Sequence, residues 1–397
     1  MTLRLELRRF VGSFLLLLLA GVDSAGQESQ DLARHAKEFR IEKHGDAILL
    51  PISLFGVTEN FMVDSGASIH ILDERFRRHL GRAVDTVGFG TAGADLRLRY
   101  YRPPRLSIGA ERLEENLPVV SLDFTHPSQV IGHHIGGILG GPLFLQFIVS
   151  IDFDAGRLRL LPLEEMPRES WGIPIPVSVD STGRPSIERV RVGSETRSFL
   201  LDTGFNSSLS LARPLFDQLQ ANEMLRLRRE RRAMTAGGDV VRRIGAVNAI
   251  AVGPFRHQSI AASEGEENII GLDYLSRFRV TFDLPRNRIY LAKGEAFSKA
   301  DHAYKSGISV LWIEEKIVIA EIDENSPADR AGVESNDTLV AINGVPTKEM
   351  TLNEVRGHFR RQSGKTLTLS LQRDKQALNV SFALEPPESW YRFPANE

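Results

Sequence analysis

The chain has 397 residues, too many for one ordinary compact domain, so two or three domains are expected. Apolar residues make up 42% and charged residues 25%, a globular balance that excludes a wholly disordered or fibrous protein, and the net charge of -2 gives no bulk attraction for nucleic acid or anionic lipid. Cysteine is absent, which excludes disulfides, thiolate metal sites, cysteine nucleophiles and a lipid-modified N-terminal cysteine, so any chemistry runs on Asp, Glu, His, Ser, Thr, Lys or Tyr.

The first residues read as an address. Arg4, Arg8 and Arg9 precede an apolar run from Phe10 to Val22, and Ser24, Ala25 and Gly26 follow. This is the order of a secretory signal peptide, expected over residues 1–24. The competing reading is an uncleaved anchor, but the run is short for crossing a bilayer. From residue 40 to 293 short apolar runs (Ala47–Leu54, Phe61–Val63, Phe147–Ile151) are broken by Gly, Pro, Asn and Asp, which predicts mainly β-structure. The long helix is expected within Arg213–Arg232. Lysine is confined to Lys37 and Lys43 until Lys293 and is frequent afterwards, which marks a join near 293–305.

The central pattern is an internal repeat. Phe61-Met62-Val63 runs into Asp64-Ser65-Gly66, and Phe199-Leu200-Leu201 runs into Asp202-Thr203-Gly204. Each is preceded by a glycine turn, at Gly56 and Gly193. Each is followed by Thr-Ala-Gly-x-Asp, beginning at Thr91 and Thr235, and later by an apolar pair with glycine, Ile138-Leu139-Gly140 and Ile269-Ile270-Gly271. One acidic turn with glycine is commonplace. Two, each at the end of an apolar strand inside a longer repeat, are a strong signal for two carboxylates brought to one centre; the alternative is a duplicated β domain whose Asp residues merely cap turns. Like charges there share a proton, leaving one acid and one base, and a water between them can be activated to attack a carbonyl. Gly66 and Gly204 let backbone approach the carboxylates. Ser65 and Thr203 offer hydroxyls that can bond across to the opposite loop.

This doubled motif resembles the aspartic peptidases of retropepsin or pepsin type over roughly residues 40–293. The resemblance implies a mainly β fold of two β-barrel lobes, 40–163 and 164–293, with Asp64 and Asp202 catalytic and no cofactor or metal. Both motifs lie in one chain, so a homodimer is not required. The resemblance also implies a hairpin flap around Phe89–Tyr101, with Phe89, Gly90, Thr91 and Gly93 as candidates, and a second-lobe counterpart around Thr235–Val241. Two departures stand out: Tyr100 and Tyr101 sit late in the flap segment, and Phe205 is larger than the residue usual after the second motif.

Residues 304–385 resemble a PDZ domain, a small α+β module, most specifically from Ser326 to Gly344, with Asn336-Asp337 where Gly-Asp is usual. Such a domain accepts a peptide as an added strand and captures its terminal carboxylate on loop amides. The resemblance points to Gly307, Ile308, Ser309 and Val310. Residues 386–397 read as a polar tail. His133 and His134, expected to point apart on a strand, show no metal-ligand spacing. The run Arg226–Arg232 reads as a solvated face or a site for acidic partners. The expectation is an exported aspartic endopeptidase acting on a peptide or protein, with a PDZ-like module that recruits peptide tails or regulates. The arginine bias and domain pairing resemble bacterial proteins and imply the periplasm. The alternative is a non-catalytic peptide-binding or PDZ-mediated interaction protein on the same scaffold.

Overall fold

The computed structural model describes residues 36–389 apart from 44, 92–93, 115–116, 236–237, 302–304 and 361–362; within 87–97, 228–229, 231–240 and at 388 it describes backbone only. The expected signal peptide lies outside the described residues. In the first half the strands are β1 (Lys37–Arg40), β2 (Leu49–Leu54), β3 (Val57–Val63), β4 (Ile71–Asp73), β5 (Asp85–Thr91), β6 (Ala94–Tyr101), β7 (Ser107–Ile108), β8 (Glu111–Arg112), β9 (Val119–Leu122), β10 (Gly137–Leu139), β11 (Ile148–Asp152) and β12 (Arg157–Leu161), with helices α1 (Thr125–Ile131) and α2 (Gly141–Gln146). The second half contributes β13 (Ile173–Pro176), β14 (Ser178–Val179), β15 (Pro185–Val192), β16 (Glu195–Asp202), β17 (Leu209–Ala212), β18 (Leu225–Thr235), β19 (Gly238–Val252), β20 (Phe255–Gly265), β21 (Ile269–Gly271), β22 (Phe278–Asp283) and β23 (Arg288–Lys293), with α3 (Arg213–Ala221) and α4 (Leu272–Leu275).

The same pairings recur in both halves. β3 runs parallel to β10, which is antiparallel to β4, which is parallel to β9. Likewise β16 runs parallel to β21, which is antiparallel to β17, which is parallel to β20. In the second half β19 returns to pair with β15, closing six strands into a barrel. Phe61 and Val63, and Phe199 to Leu201, are buried because sheet and core cover them. A third sheet has the order β1-β12-β11-β22-β23-β13, so each half contributes three strands. Its core is continuous with those of the lobes.

The helix expected over Arg213–Arg232 is shorter than the sequence suggested. α3 stops at Ala221, and Glu223 takes a positive φ of 56°. Beyond it Leu225-Arg226-Leu227 alternates buried Leu225 with exposed Arg226, and this period of two makes a strand. The period outweighs the helix propensity of Leu and Arg.

The C-terminal module holds β24 (Ile308–Ile313), β25 (Lys316–Ile322), β26 (Thr338–Ile342), β27 (Val345–Pro346), β28 (Thr366–Arg373) and β29 (Gln376–Ala383), with α5 (Pro327–Arg330) and α6 (Leu352–Phe359). It has its own hydrophobic core. β24 lies at one end of the sheet. A capping box starts α6: Glu354 N donates to Thr351 Oγ1 at 3.2 Å, and Thr351 N donates to Glu354 Oε2 at 2.7 Å. Among the described residues no helix is long and apolar enough to cross a membrane.

One half-buried acid sits beside the contact of this module with the first two lobes. Burial pushes the Asp273 carboxyl up to about 7, with Arg360 and Arg277 opposing the rise and Asp46 and Asp301 adding to it. The folded value lies above the ordinary 3.8, so the folded chain holds a proton that the unfolded chain has released. The stability this proton supplies is present at acidic pH and is lost as pH rises through about 7. Asp273→Asn is expected to remove that decline, so urea midpoints of wild type and variant should diverge progressively from pH 4 to pH 8.

Candidate active site

β3 and β16 each end in an aspartate, and both sheets deliver it the same way. Asp64 N donates to Leu139 O at 3.0 Å, and Asp202 lies opposite Gly271 in the β16–β21 register. The turns that follow are near copies. Asp64 Oδ1 accepts from Gly66 N at 2.8 Å and Ala67 N at 3.0 Å. Asp202 Oδ1 accepts from Gly204 N at 2.8 Å and Phe205 N at 3.0 Å. Phe205 thus occupies the same backbone position as Ala67, and its larger side chain lies beside Gly271, where a Cβ would meet Phe205 Cδ1 at 2.5 Å.

The two loops are crossed through their hydroxyls. Thr203 Oγ1 accepts from Ser65 N at 3.0 Å and donates to Val63 O at 2.8 Å. Ser65 Oγ accepts from Thr203 N at 3.1 Å and donates to Leu201 O at 2.8 Å. Both residues are fully buried. Each loop therefore holds the other in place, with each hydroxyl both donating and accepting across the centre. The glycines set the spacing. A Cβ on Gly66 would lie 2.5 Å from Asp202 Oδ2, and one on Gly204 the same distance from Asp64 Oδ2. Neither position admits a side chain.

Enclosure by protein raises both carboxyls above the usual range. For Asp64 the charge of Asp202 and the hydrogen bond between the two carboxyls add to the rise. For Asp202 that hydrogen bond, the two loop amides and the Arg184 guanidinium offset part of it. The two carboxyls titrate as a pair, and both are held above the ordinary carboxylate range.

Arg184 gave no signal in the sequence. It stands just before β15 in a turn where Asp180 Oδ1 accepts from Thr182 N, Thr182 Oγ1 and Arg184 N. Its Nε donates to Gly66 O at 2.8 Å, and its Nη2 meets Glu267 Oε2 at 3.1 Å. The first loop carries this cation; among the described residues no side chain bonds the Gly204 carbonyl. His70 was also missed. It is buried, and its Nδ1 accepts from Gly140 N at 2.9 Å, fixing the strand end beside Asp64.

The flap candidates fall on a hairpin. β5 and β6 pair antiparallel from Asp85↔Tyr100 to Thr91↔Ala94, with Phe89 opposite Leu96 and Gly90 opposite Asp95. Gly93 lies outside the described residues. Tyr100 and Tyr101 pair with β9 at the hairpin base, away from its turn. β18 and β19 form the longer hairpin of the second half. Arg242 and Arg243 bond Glu264, and Arg243 also bonds Asp217. His133 and His134 are not on a strand: Gly132, with φ of 83°, ends α1 and leads into irregular chain. Among the described residues no cluster of His, Cys, Asp or Glu is placed to hold a metal ion.

The PDZ candidates lie at the start of β24. Gly307 has φ of 79°, and its carbonyl accepts from Asp323 N at 2.8 Å. Ile308 N donates to the buried Ser306 Oγ at 3.0 Å. Ser309 pairs with Glu321 before a bulge, and Val310 O accepts from Arg356 Nη2 at 3.1 Å.

The chain matches the sequence model of the aspartyl protease family over residues 50–143 and 189–274, and that of the PDZ domain over 318–373. It carries an aspartyl protease domain followed by a PDZ domain. A search of curated proteins finds no match. The first match ends just past Ile138-Leu139-Gly140 and the second just past Ile269-Ile270-Gly271, so the protease domain spans both aspartate loops and the strands that seat them.

Two outcomes test this geometry. Thr203→Val strands the buried Ser65 N–H and Val63 carbonyl, and should lower unfolding free energy by about 1–3 kcal/mol in urea titrations. Arg184→Met removes the cation beside the pair, so the carboxyl titration assigned to Asp202 by carbon NMR should move to higher pH. Glu267→Gln, which frees the Arg184 charge, should move it lower.

Proposed function

We propose that the chain is an exported aspartic endopeptidase that cleaves peptide bonds with a water activated between Asp64 and Asp202. The observation that carries this reading is the matched pair of aspartate loops, each carboxylate held by two amides and each loop crossed through Ser65 or Thr203. The ionised carboxylate takes a proton from water as the water oxygen bonds to the scissile carbonyl carbon. The proton on the other carboxyl passes to the carbonyl oxygen, giving a neutral tetrahedral diol. Transfer of a proton to the amide nitrogen then lets the C–N bond break, releasing an amine and a carboxylic acid. Pre-set amides and hydroxyls keep the carboxylates oriented, so little reorganisation is needed as charge moves.

The remaining assignments belong to the same reading. The β5–β6 hairpin, with the flap candidates Phe89, Gly90 and Thr91, closes over an extended peptide. Residues 1–24 direct export, to the periplasm if the source is bacterial. The PDZ domain receives a peptide tail, recruiting substrate or regulating access. The lobe limits 40–163 and 164–293 and the module limits 304–385 are part of this proposal.

Purified protein incubated with an unstructured protein substrate from acidic to neutral pH should cleave it. Asp64→Asn and Asp202→Asn should each reduce cleavage by ~10²–10⁴-fold or more, since each removes one member of a proton-transfer pair. Unchanged cleavage in either variant would overturn the mechanism. Absence of cleavage by folded wild type at every pH would overturn the enzymatic reading.

A further inference from the structure

The peptide-accepting edge of the PDZ domain is turned towards the protease domain. Among the described residues β24 has one neighbour in its sheet, β25, so its other edge is the place where a peptide strand would add. α6 stands beside that edge: Arg356 Nη2 bonds the Val310 carbonyl. An incoming peptide N–H would need that acceptor.

Protease-domain groups meet both walls of this trough. Asp46, just before β2, pairs with Arg356 and lies 3.5 Å from Arg360. Asp46 and Arg356 are 8% and 7% exposed, so the pair is nearly dry. Glu42 Oε1 accepts from Thr351 Oγ1, the cap of α6, at 2.7 Å. At the end of α1, a Cβ on Gly132 would lie 2.7 Å from Leu352 Cβ. His134 packs edge-on against Trp312 of β24, ring centroids 4.9 Å apart.

We propose that the protease domain shuts the peptide trough of its own PDZ domain, with Asp46–Arg356 as the latch, so that a bound peptide C-terminus and the docked protease surface exclude one another. The physical reason is the latch. Arg356 cannot leave Val310 for a peptide strand without disturbing a buried pair, and an unpaired buried Asp46 is costly. Peptide entry is therefore coupled to rehydration of Asp46 and withdrawal of Glu42, Gly132 and His134. Apparent peptide affinity falls by the fraction of molecules that are open. The proposal rests on the peptide-binding reading of the PDZ domain and not on catalysis by the aspartates.

The test uses the full chain and fluorescein-labelled unstructured peptides ending in Ala, Val, Leu or Phe, each with a free and an amidated terminus. Asp46→Ala should bind the best free-carboxylate peptide at least ~10-fold more tightly than wild type, within the usual 5–150-fold range of coupled sites. Because the chain has no cysteine, His134→Cys with Trp312→Cys gives a unique thiol pair. Joining it with a short reducible bis-maleimide should abolish binding, and reduction should restore it. Equal affinity in wild type, Asp46→Ala and the linked protein would overturn the proposal. Hydrogen exchange over residues 306–313 decides the case where no peptide binds any variant. Faster exchange in Asp46→Ala would keep the shut trough and discard the peptide-binding reading; unchanged exchange would overturn the latch. Should Asp46→Ala fail to fold, Arg356→Gln and the linked protein carry the same comparison.

Discussion

Two carboxylates enclosed at one point cannot both be charged, and the protease domain is organised around that constraint. Holding them together raises both carboxyls above their ordinary range. It also means that nothing larger than hydrogen fits at Gly66 or Gly204. The loops are therefore fixed by backbone amides and by two buried hydroxyls that cross between them, each donating one bond and accepting one. The parallel pairing of each aspartate strand with a strand ending in Leu139 or Gly271 keeps both loops at the same height. An approximate two-fold arrangement is the economical solution, since one loop design used twice places both acids.

The symmetry is broken where the charge is biased. Arg184 reaches the first loop across 118 residues of sequence, with Glu267 at its other end. Gly183 in the same turn lies against Gly141, where a Cβ on Gly183 would meet Gly141 O at 2.8 Å. The cation thus arrives on a tight turn seated at the start of α2 and favours the negative charge on one aspartate over the other.

What could be read from the sequence follows the range of the interactions. The aspartate motifs, the strands before them and the later apolar-apolar-glycine pairs are linear patterns, and the mainly β architecture and PDZ module came with them. The extent of α3 was overestimated because Leu, Arg and Glu favour helix, while the alternation from Leu225 that decides the matter is only a few residues long. Arg184, His70 and the Asp46–Arg356 pair left no local trace. Their partners lie 118, 70 and 310 residues away, and isolated Arg, His and Asp residues are too common to stand out. The Gly-Ile-Ser-Val run pointed to a peptide-binding loop, whereas Ile308 to Val310 open the edge strand β24, and nothing in that run says which surface faces it.

The sheet shared by the two halves has a consequence for how the chain acquires its structure. Ser150 on β11 and Thr281 on β22 join hydroxyls at 3.0 Å across 131 residues, and the strands around them pair in the middle of that sheet. Neither half can complete its own base while the other is unformed, so the lobes are interdependent folding units. Contacts between such distant segments require long loops to close before they return any stabilisation, which slows folding. Without disulfides to hold partial structures, the first half must wait with its strand edge uncovered until the second has emerged.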